Sequence, residues 1–169
     1  RRRRTVGPVG CGLCGVETLA AAMRVLEPVS GDCVISADDL DAALAEMDAG
    51  QRLRDATGAS HAAGFLVPGR GLIALREDVG RHNALDKLAG ALLRGPDAGL
   101  IGQGAVVLTS RISVDLVQKT ATLGAPVLIA LAAPTSAAVA AAEAAGIGLA
   151  GRARSADRAE IYARPERFA

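Results

Sequence analysis

Two short segments hold the residues whose types and spacing could do chemistry. The first, GCGLCG at residues 10–15, sets two thiols three positions apart among glycines. The second, REDVGRHNALDK at residues 76–87, concentrates guanidinium, carboxylate, imidazole and amide groups. A thiol beside cations or a helix N-terminus readily becomes a thiolate, the form that acts as a nucleophile. Together the two segments predict sulfur chemistry beside a polar, anion-binding pocket.

Cys11 and Cys14 permit three interpretations. A dithiol redox site requires a strand-to-helix context for the CxxC pair. A zinc site requires four ligands, which Cys33, His61 and His82 would have to complete. A nucleophilic or sulfur-carrying thiol requires exposure, thiolate character and mobility, all of which the flanking glycines favour. The residues alone leave the three open.

The chain begins on four arginines without an initiator Met, which predicts a segment of a longer protein. Such a run is most often a solvated linker, and nucleic-acid binding would need a larger basic surface than a net charge of +1 indicates. A third interpretation is that these charges lower the pKa of the nearby thiols. We expect no nucleic-acid partner.

Composition points to one domain with an aliphatic core. Hydrophobic residues make up 50% of the 169 residues, aromatic residues only 2%, and tryptophan is absent. Three cysteines are too few, and odd in number, for a secreted disulfide framework. Every apolar run is interrupted well short of the ~20 residues that a membrane-spanning helix needs. We therefore predict a cytoplasmic protein that does not enter a membrane.

Strands alternate with helices of about ten residues along most of the chain, a pattern typical of a layered α/β domain with a largely parallel sheet. Residues 1–15 are predicted as a flexible segment and residues 16–169 as a single domain. Ser36 and Asp39 form a capping-box pattern that predicts a helix start. Residues 57–64, small and polar, are predicted as a turn into a short helix. The remaining predicted helices cover 16–26, 113–123 and 136–145, and the charged segment 76–87 leads into one more, which carries Leu85, Leu88, Ala89 and Leu92. The predicted strands cover 71–75, 105–108, 126–131, 147–151 and 160–162.

Polar side chains gather where predicted strands give way to helices. His82 lies between Arg81 and Asn83 at one such junction, and two later junctions carry hydroxyl groups and an arginine. In open α/β sheets, ligands bind beyond the carboxyl ends of the strands. Free helix amides at these points attract anions, which would suit a nucleotide phosphate or a guanine edge. Surface ion pairs and helix capping are the plainer interpretations of the same residues.

Two further residues have an ordinary structural interpretation. His61, among alanines and glycines, is predicted as a hydrogen-bonded core histidine unless it belongs to the site. Cys33, beside Val34 and Ile35, is predicted as a small buried hydrophobe.

Six stretches bring a specific family into view. The chain resembles the formate dehydrogenase accessory sulfurtransferases, the FdhD-type sulfur carriers, and the matching segments follow the family order across nearly the whole chain. They are GCGLCG at 10–15, TGASHAAG at 57–64, REDVGRHNALDK at 76–87, SRISVDLVQK at 110–119, PVLIALAAPTSAAV at 126–139 and IYARPERF at 161–168.

The resemblance implies a cytidine-deaminase-like α/β fold, a mixed, largely parallel sheet flanked by helices, and a smaller N-terminal family domain that this chain lacks. It implies a sulfurtransferase that accepts sulfur from a cysteine desulfurase as a persulfide on Cys11, with Cys14 assisting. The sulfur would pass to the bis-molybdopterin guanine dinucleotide form of the molybdenum cofactor, for delivery to a formate dehydrogenase. GDP would mimic half of that cofactor, no structural metal is expected, and the protein would be a homodimer.

The predicted cofactor site combines the strand-end residues with one segment that the resemblance supplies. The strand-end residues are His61, Arg81, His82, Asn83, Ser110, Arg111, Thr135 and Ser136; the segment comprises Arg152, Ala153, Arg154, Ser155, Ala156 and Asp157. The alternative hypothesis is a nucleotide-binding module, organised by zinc or by a dithiol, that transfers no sulfur.

Overall fold

The computed structural model describes residues 26–169. The cysteine pair and all but the last residue of the helix predicted over 16–26 lie outside the described residues. The α-helices are α1 (Ala37–Gly50), α2 (Arg52–Thr57), α3 (Arg81–Arg94), α4 (Val114–Leu123) and α5 (Ser136–Ala145). The strands are β1 (His61–Val67), β2 (Gly71–Asp78), β3 (Ala105–Leu108), β4 (Val127–Ala130), β5 (Gly148–Gly151) and β6 (Glu160–Ala163). Short 3-10 helices cover Ala98–Gln103, Ala156–Arg158 and Pro165–Arg167.

The strands form one six-stranded sheet in the order β2-β1-β3-β4-β5-β6. β3, β4 and β5 run parallel, whereas β1 is antiparallel to both of its neighbours and β6 is antiparallel to β5. The α/β class and the mixed sheet are thus confirmed. Fewer strand pairs are parallel than expected. One reason is that residues 68–70 join β1 to β2 as a hairpin, a connection too short for a parallel crossover.

Helices cover both faces of the sheet. α3, α4 and α5 pack on what we call the three-helix face, and α1 packs on the opposite, single-helix face. Side chains of β3 alternate between the two: Val106 and Leu108 join the core under the three helices, and Ala105 and Val107 join the core under α1. Alanine supplies most of the buried face of α5, so this helix can lie close to the sheet.

The helix ends follow local chemistry. Ser36 caps α1 through its hydroxyl group, which accepts a hydrogen bond from the Asp39 amide (3.1 Å), so the predicted capping box is confirmed. α4 and α5 both end on a glycine in the left-handed region, Gly124 at φ 89° and Gly146 at φ 69°. Glycine adopts this conformation without the steric cost that a Cβ brings.

The prediction of a turn and a short helix over 57–64 was wrong from His61 onward, where β1 begins. Ala62, Ala63 and Gly64 carry none of the β-branched side chains typical of strands. Tertiary packing explains the difference: a Cβ at Gly64 would lie 2.9 Å from the Met47 side chain of α1. A strand sandwiched this tightly requires small residues.

The other strands and helices predicted within residues 27–169 are found within three residues of their expected ends. β2 extends three residues past its predicted end, through Asp78, and so carries the first charged residues of 76–87 on an edge of the sheet. Charged side chains on an edge strand discourage pairing with another chain. Among residues 26–169, no helix is both long enough and apolar enough to span a membrane.

Candidate functional site

The predicted strand-end residues meet at one edge of the sheet. Residues 109–113, 131–136 and 152–157 follow β3, β4 and β5, and because these strands are parallel their carboxyl ends point the same way. We call this margin the carboxyl edge. The antiparallel β1 starts there: the Thr109 amide donates to the Ala62 carbonyl (3.1 Å), and the Ala62 amide donates to the Thr109 hydroxyl (2.9 Å). His61 therefore lies at the same margin.

Backbone hydrogen bonds join the three loops into a continuous strip. The Thr135 amide donates to the Ile112 carbonyl (3.0 Å), and the Arg152 amide donates to the Ala132 carbonyl (3.3 Å). A Cβ at Gly151 would lie 2.8 Å from Pro134, so only glycine allows the β5 loop to approach the β4 loop this closely. The carboxyl edge is thus a fixed scaffold for whatever its side chains bind.

Arg152 adopts a left-handed backbone conformation, φ 52°, which costs energy for a residue with a Cβ. Its guanidinium lies 3.1 Å from a carboxylate oxygen of Glu160, and the Tyr162 hydroxyl donates to the same carboxylate. That hydrogen bond raises the pKa of Tyr162. The predicted site residue Arg152 is therefore already paired, whereas the neighbouring Arg154 is exposed at the edge.

A cavity of about 580 Å³ opens between α1 and the carboxyl edge. Its lining combines residues from α1 with the loops after β3, β4 and β5: Asp41, Leu44, Ala45, Asp48, Thr109, Leu131, Ala132 and Arg154. The volume is within the range typical of small-molecule sites. Of the predicted cofactor residues, Arg154 alone is in this lining.

Sequence reasoning missed the contribution of α1. Asp41, Leu44, Ala45 and Asp48 recur at the i, i+3, i+4, i+7 spacing of one helix face, and this mixed acidic and apolar stripe was the available signal. The Asp41 carboxylate also accepts from the Ala156 amide (2.6 Å), and Asp48 lies 3.0 Å from Arg54. Both carboxylates are therefore held in place at the cavity.

A second polar group lies between α3 and α4, on the three-helix face. Nδ1 of His82 is 2.8 Å from Oδ2 of Asp115, an ion-pair distance reached without hydrogen-bond geometry, and the two side chains are 12% and 6% exposed. Burial lowers the pKa of His82; the Asp115 carboxylate opposes this, and Arg81 and Lys119 add to it. The imidazole is consequently neutral near pH 7. Two residues before Asp115, the Ser113 hydroxyl is also buried without a hydrogen bond among the described residues. We call His82, Asp115 and Ser113 the buried polar cluster.

The rest of 76–87 forms a hydrogen-bonded surface network. The Glu77 carboxylate accepts from the amides of Leu53 (2.7 Å) and Arg54 (2.9 Å), and the Asp78 carboxylate accepts from the Gly80 amide (3.0 Å). Lys87 is paired with Asp78 and, with the Gly80 and Asn83 hydrogen bonds, lowers the pKa of that carboxyl to about 2. The structural interpretation of these charges is confirmed for Glu77, Asp78 and Lys87.

The Asn83 amide donates to Asp78 (3.2 Å), so its predicted role at the cofactor site competes with a bond inside the surface network. Thr135 likewise accepts from the Ala138 amide (3.2 Å) and caps α5. Ser110 is buried, and Arg111 and Ser136 are exposed at the carboxyl edge. His61 is half-buried at the start of β1, so its interpretation as a core histidine was wrong.

Cys33 is 2% exposed in the core beneath α1, as predicted, and burial raises the pKa of its thiol to about 11. It lies on the single-helix face, and His82 lies on the three-helix face. The sheet separates the two, so they do not complete one zinc site together. Among residues 26–169, no three histidine, cysteine or carboxylate side chains cluster closely enough to hold a metal ion.

Comparison with known proteins places this arrangement in a family. The model of the FdhD/NarQ family matches residues 1–169. A protein of Agrobacterium fabrum named Sulfur carrier protein FdhD is 50% identical over 170 residues, which cover 99% of this chain and 61% of the relative. A protein of the same name from Cupriavidus necator is 48% identical over 168 residues, covering 99% of this chain and 57% of the relative. The chain thus spans about three fifths of the length of these relatives.

A solved structure has the same fold. The crystal structure of a protein from Desulfotalea psychrophila, described as a formate dehydrogenase accessory protein, superposes with a TM-score of 0.77 and 29% sequence identity, covering 87% of this chain and 61% of that one. The sequence match extends over the cysteine pair as well as over the described residues. On this evidence the chain belongs to the FdhD/NarQ family.

Proposed function

We propose that this chain is the part of a sulfur carrier that receives sulfur as a persulfide and hands it to the molybdenum cofactor. Cys11 would carry the sulfur, Cys14 would assist, and a cysteine desulfurase would be the donor. The acceptor would be the bis-molybdopterin guanine dinucleotide cofactor on its way to a formate dehydrogenase. A homodimeric state and a cytoplasmic location belong to the same proposal.

Two observations support the sulfur chemistry. Proteins named sulfur carriers match 99% of the chain at 48–50% identity, a span that includes GCGLCG at 10–15. The third cysteine, Cys33, is buried with a raised pKa and is unsuited to nucleophilic attack. Cys11 and Cys14 are therefore the thiols available for transfer.

The observation that carries the cofactor part of the proposal is the cavity at the carboxyl edge. It joins the exposed Arg154, which can hold a phosphate, to the carboxylates of Asp41 and Asp48. Guanine presents an N–H and an amino group on one edge, and a carboxylate accepts from both; adenine lacks that pair of donors. A guanine nucleotide therefore fits the lining better than an adenine nucleotide does.

The Ser113 side chain makes no capping hydrogen bond at the start of α4. The first amides of that helix add to the positive potential at the carboxyl edge. Thr135, in contrast, satisfies one amide of α5 itself. The phosphates of a bound nucleotide would therefore lie toward the loops after β3 and β5, on the Arg154 side.

Intact-mass measurement tests the proposal directly. After incubation with a cysteine desulfurase and cysteine, we expect one added sulfur atom that maps to Cys11. Cys11→Ala should show no added sulfur at that position, and Cys33→Ala should gain it normally. A wild-type chain that never gains sulfur, but that holds one zinc ion lost in Cys11→Ala, would favour the alternative zinc-organised binding module.

A further inference from the structure

The cavity at the carboxyl edge is a groove with two different ends. Its loop residues come from three neighbouring parallel strands, β5, β4 and β3. Arg154 follows β5, Leu131 and Ala132 follow β4, and Thr109 follows β3. Neighbouring strands lie about 4.8 Å apart, so the groove extends about 10 Å from β5 to β3. We call its two limits the β5 end, at Arg154, and the β3 end, at Thr109.

α1 crosses the sheet in the same direction as the groove. Near its start, the Asp41 carboxylate accepts from the Ala156 amide (2.6 Å), beyond β5. Its last residue, Gly50, lies against β2, where an added Cβ would contact the Leu75 side chain. Asp48 is seven residues after Asp41, about 10 Å further along the helix axis. Asp41 therefore lies at the β5 end of the cavity, and Asp48 lies toward the β3 end.

The two carboxylates are consequently suited to different parts of a nucleotide. Asp41 shares the β5 end with Arg154, the residue proposed to hold a phosphate, and one of its oxygens already accepts from a backbone amide. Leu44 and Leu131 line the stretch between the two ends. A base that extends from phosphates at Arg154 through this apolar stretch arrives at Asp48.

Asp48 is paired with a residue that can contact the same ligand. Oδ1 of Asp48 lies 3.0 Å from Nη1 of Arg54 on α2, and the two side chains are 72% and 44% exposed. A guanidinium has five N–H donors, so its contact with one carboxylate oxygen leaves donors for a ligand. The pair thus presents hydrogen-bond acceptors and donors side by side at the margin of the cavity.

Glu77 holds Arg54 in this position. α2 has only six residues, and a helix of that length is unstable in isolation. Two of its first amides, those of Leu53 and Arg54, donate to the Glu77 carboxylate at 2.7 and 2.9 Å. Glu77 belongs to β2, near the carboxyl end of that strand. The charged segment 76–87 therefore places the Arg54 backbone beside the carboxyl edge.

Building on the proposed binding of a guanine nucleotide, we propose that Asp48 and Arg54 are the specificity-determining residues that read the guanine base. Along one side guanine presents, in order, its amino group, an N–H, O6 and N7. The Asp48 carboxylate accepts from the amino group and the N–H, and the Arg54 guanidinium donates to O6 and N7. Adenine has an amino group in place of O6 and has no N–H beside it, so it mismatches both residues.

A plain ion pair that joins α2 to α1 is the competing explanation for Asp48 and Arg54. Exposed ion pairs contribute little to stability and are screened by salt. A pair with only this role makes no distinction between bases. The base preference of the protein is therefore the measurement that separates the two explanations.

The test is calorimetry of the 169-residue chain with GDP, ADP and xanthosine diphosphate (XDP). Xanthine has a carbonyl oxygen where guanine has the amino group; an asparagine amide can donate to that oxygen while its own oxygen accepts from the N–H. Wild type should bind GDP about 10-fold more tightly than XDP. Asp48→Asn should weaken GDP binding about 10-fold and should bind XDP more tightly than GDP.

Three further variants locate the contacts. Arg54→Ala should weaken GDP and XDP alike, about 10-fold, because both bases carry O6 and N7. Asp55→Asn, the matched control, removes an exposed carboxylate beside Arg54 and outside the cavity lining, and should keep the wild-type preference. An Asp48→Asn variant that still prefers GDP overturns the proposal. A reversal caused by Asp41→Asn instead also overturns it, because the base would then lie at the β5 end.

Wild-type binding by itself separates a failure of this inference from a failure of the proposed function. Equal affinity for GDP, XDP and ADP would show that no residue reads the base; it would overturn the inference and leave a phosphate site at Arg154. Absence of GDP binding would contradict the cofactor part of the proposed function, and this inference with it. Sulfur uptake, measured by intact mass, tests the carrier function independently of either result.

Discussion

The two halves of the charged segment 76–87 behave in opposite ways. Glu77, Asp78 and Lys87 form a surface network in which each carboxylate accepts several hydrogen bonds and each charge has a partner. Four residues after Asp78 in the chain, in the first turn of α3, His82 is buried beside Asp115 with both ring nitrogens lacking hydrogen-bond geometry. Satisfied polar groups stabilise the fold, whereas buried unsatisfied ones cost stability. One motif therefore contains both kinds of polar group.

The largest expected effect comes from comparing the two kinds of thiol, Cys11 in the glycine-flanked segment and Cys33 in the core. Cys11→Ala should abolish sulfur uptake and leave the thermal midpoint unchanged. Cys33→Ala should leave uptake unchanged and lower the free energy of unfolding by about 1 kcal/mol, because it removes a packed atom from the core under α1. Intact mass and thermal melting measure the two quantities. If Cys33→Ala melted normally but lost sulfur uptake, Cys33 would have a role in transfer rather than in packing, contrary to this prediction.

Arg154 lines the cavity and Arg158, four residues later, does not. If Arg154 holds a phosphate, Arg154→Ala should weaken GDP binding about 10- to 150-fold, the range expected for a charge-assisted hydrogen bond. Arg158→Ala, which removes an equally exposed guanidinium, should weaken it far less, through general electrostatics alone. Calorimetry with GDP and ADP measures both variants. If both variants lost GDP affinity equally, or if the protein bound GDP no better than ADP, the cavity would not be the guanine-nucleotide site.

The protein should also lose stability in two different pH ranges, one set by His82 and the other by Asp78. The pKa of His82 is lowered in the fold, so the unfolded chain binds its proton more readily, and stability falls as the pH drops below about 6.5. The pKa of Asp78 is lowered to about 2, so its contribution is complete above about pH 4 and is lost between pH 4 and pH 2.

Denaturant midpoints measured from pH 8 to pH 2 on wild type, His82→Gln and Asp78→Asn separate the two ranges. His82→Gln should remove the upper step only, and Asp78→Asn the lower step only. An upper step that persists in His82→Gln would show that the imidazole is not held neutral by the fold.

The smallest effect is expected for the surface pair between α3 and α4. Lys119→Met breaks the contact with Asp86, an exposed interaction, and should cost about 0.2–1 kcal/mol of stability with no change in sulfur uptake. A urea titration measures the loss of stability, and the intact-mass assay measures sulfur uptake. A loss of uptake in this variant would mean that the spacing of the two helices controls sulfur transfer.

Local patterns predicted much of the fold. The capping box at Ser36, the strand Ala105–Leu108 and the helix Ser136–Ala145 are found where the sequence places them, because each is specified by residues within a few positions of one another. β1 could not be predicted in this way. Its small residues have no strand preference, and they are selected by the approach of Met47 from a helix more than ten residues earlier.

The sequence by itself determined the family, the α/β class, and that the residues after β3, β4 and β5 lie at one edge of the sheet, since parallel strands share an edge. Tertiary structure alone decided which of the polar residues are free to act. Burial and pairing depend on contacts between distant segments, such as His82 with Asp115 and Asp41 with Ala156. For that reason the position of the α1 stripe at the cavity and the burial of His82 beside Asp115 are visible only in the folded chain.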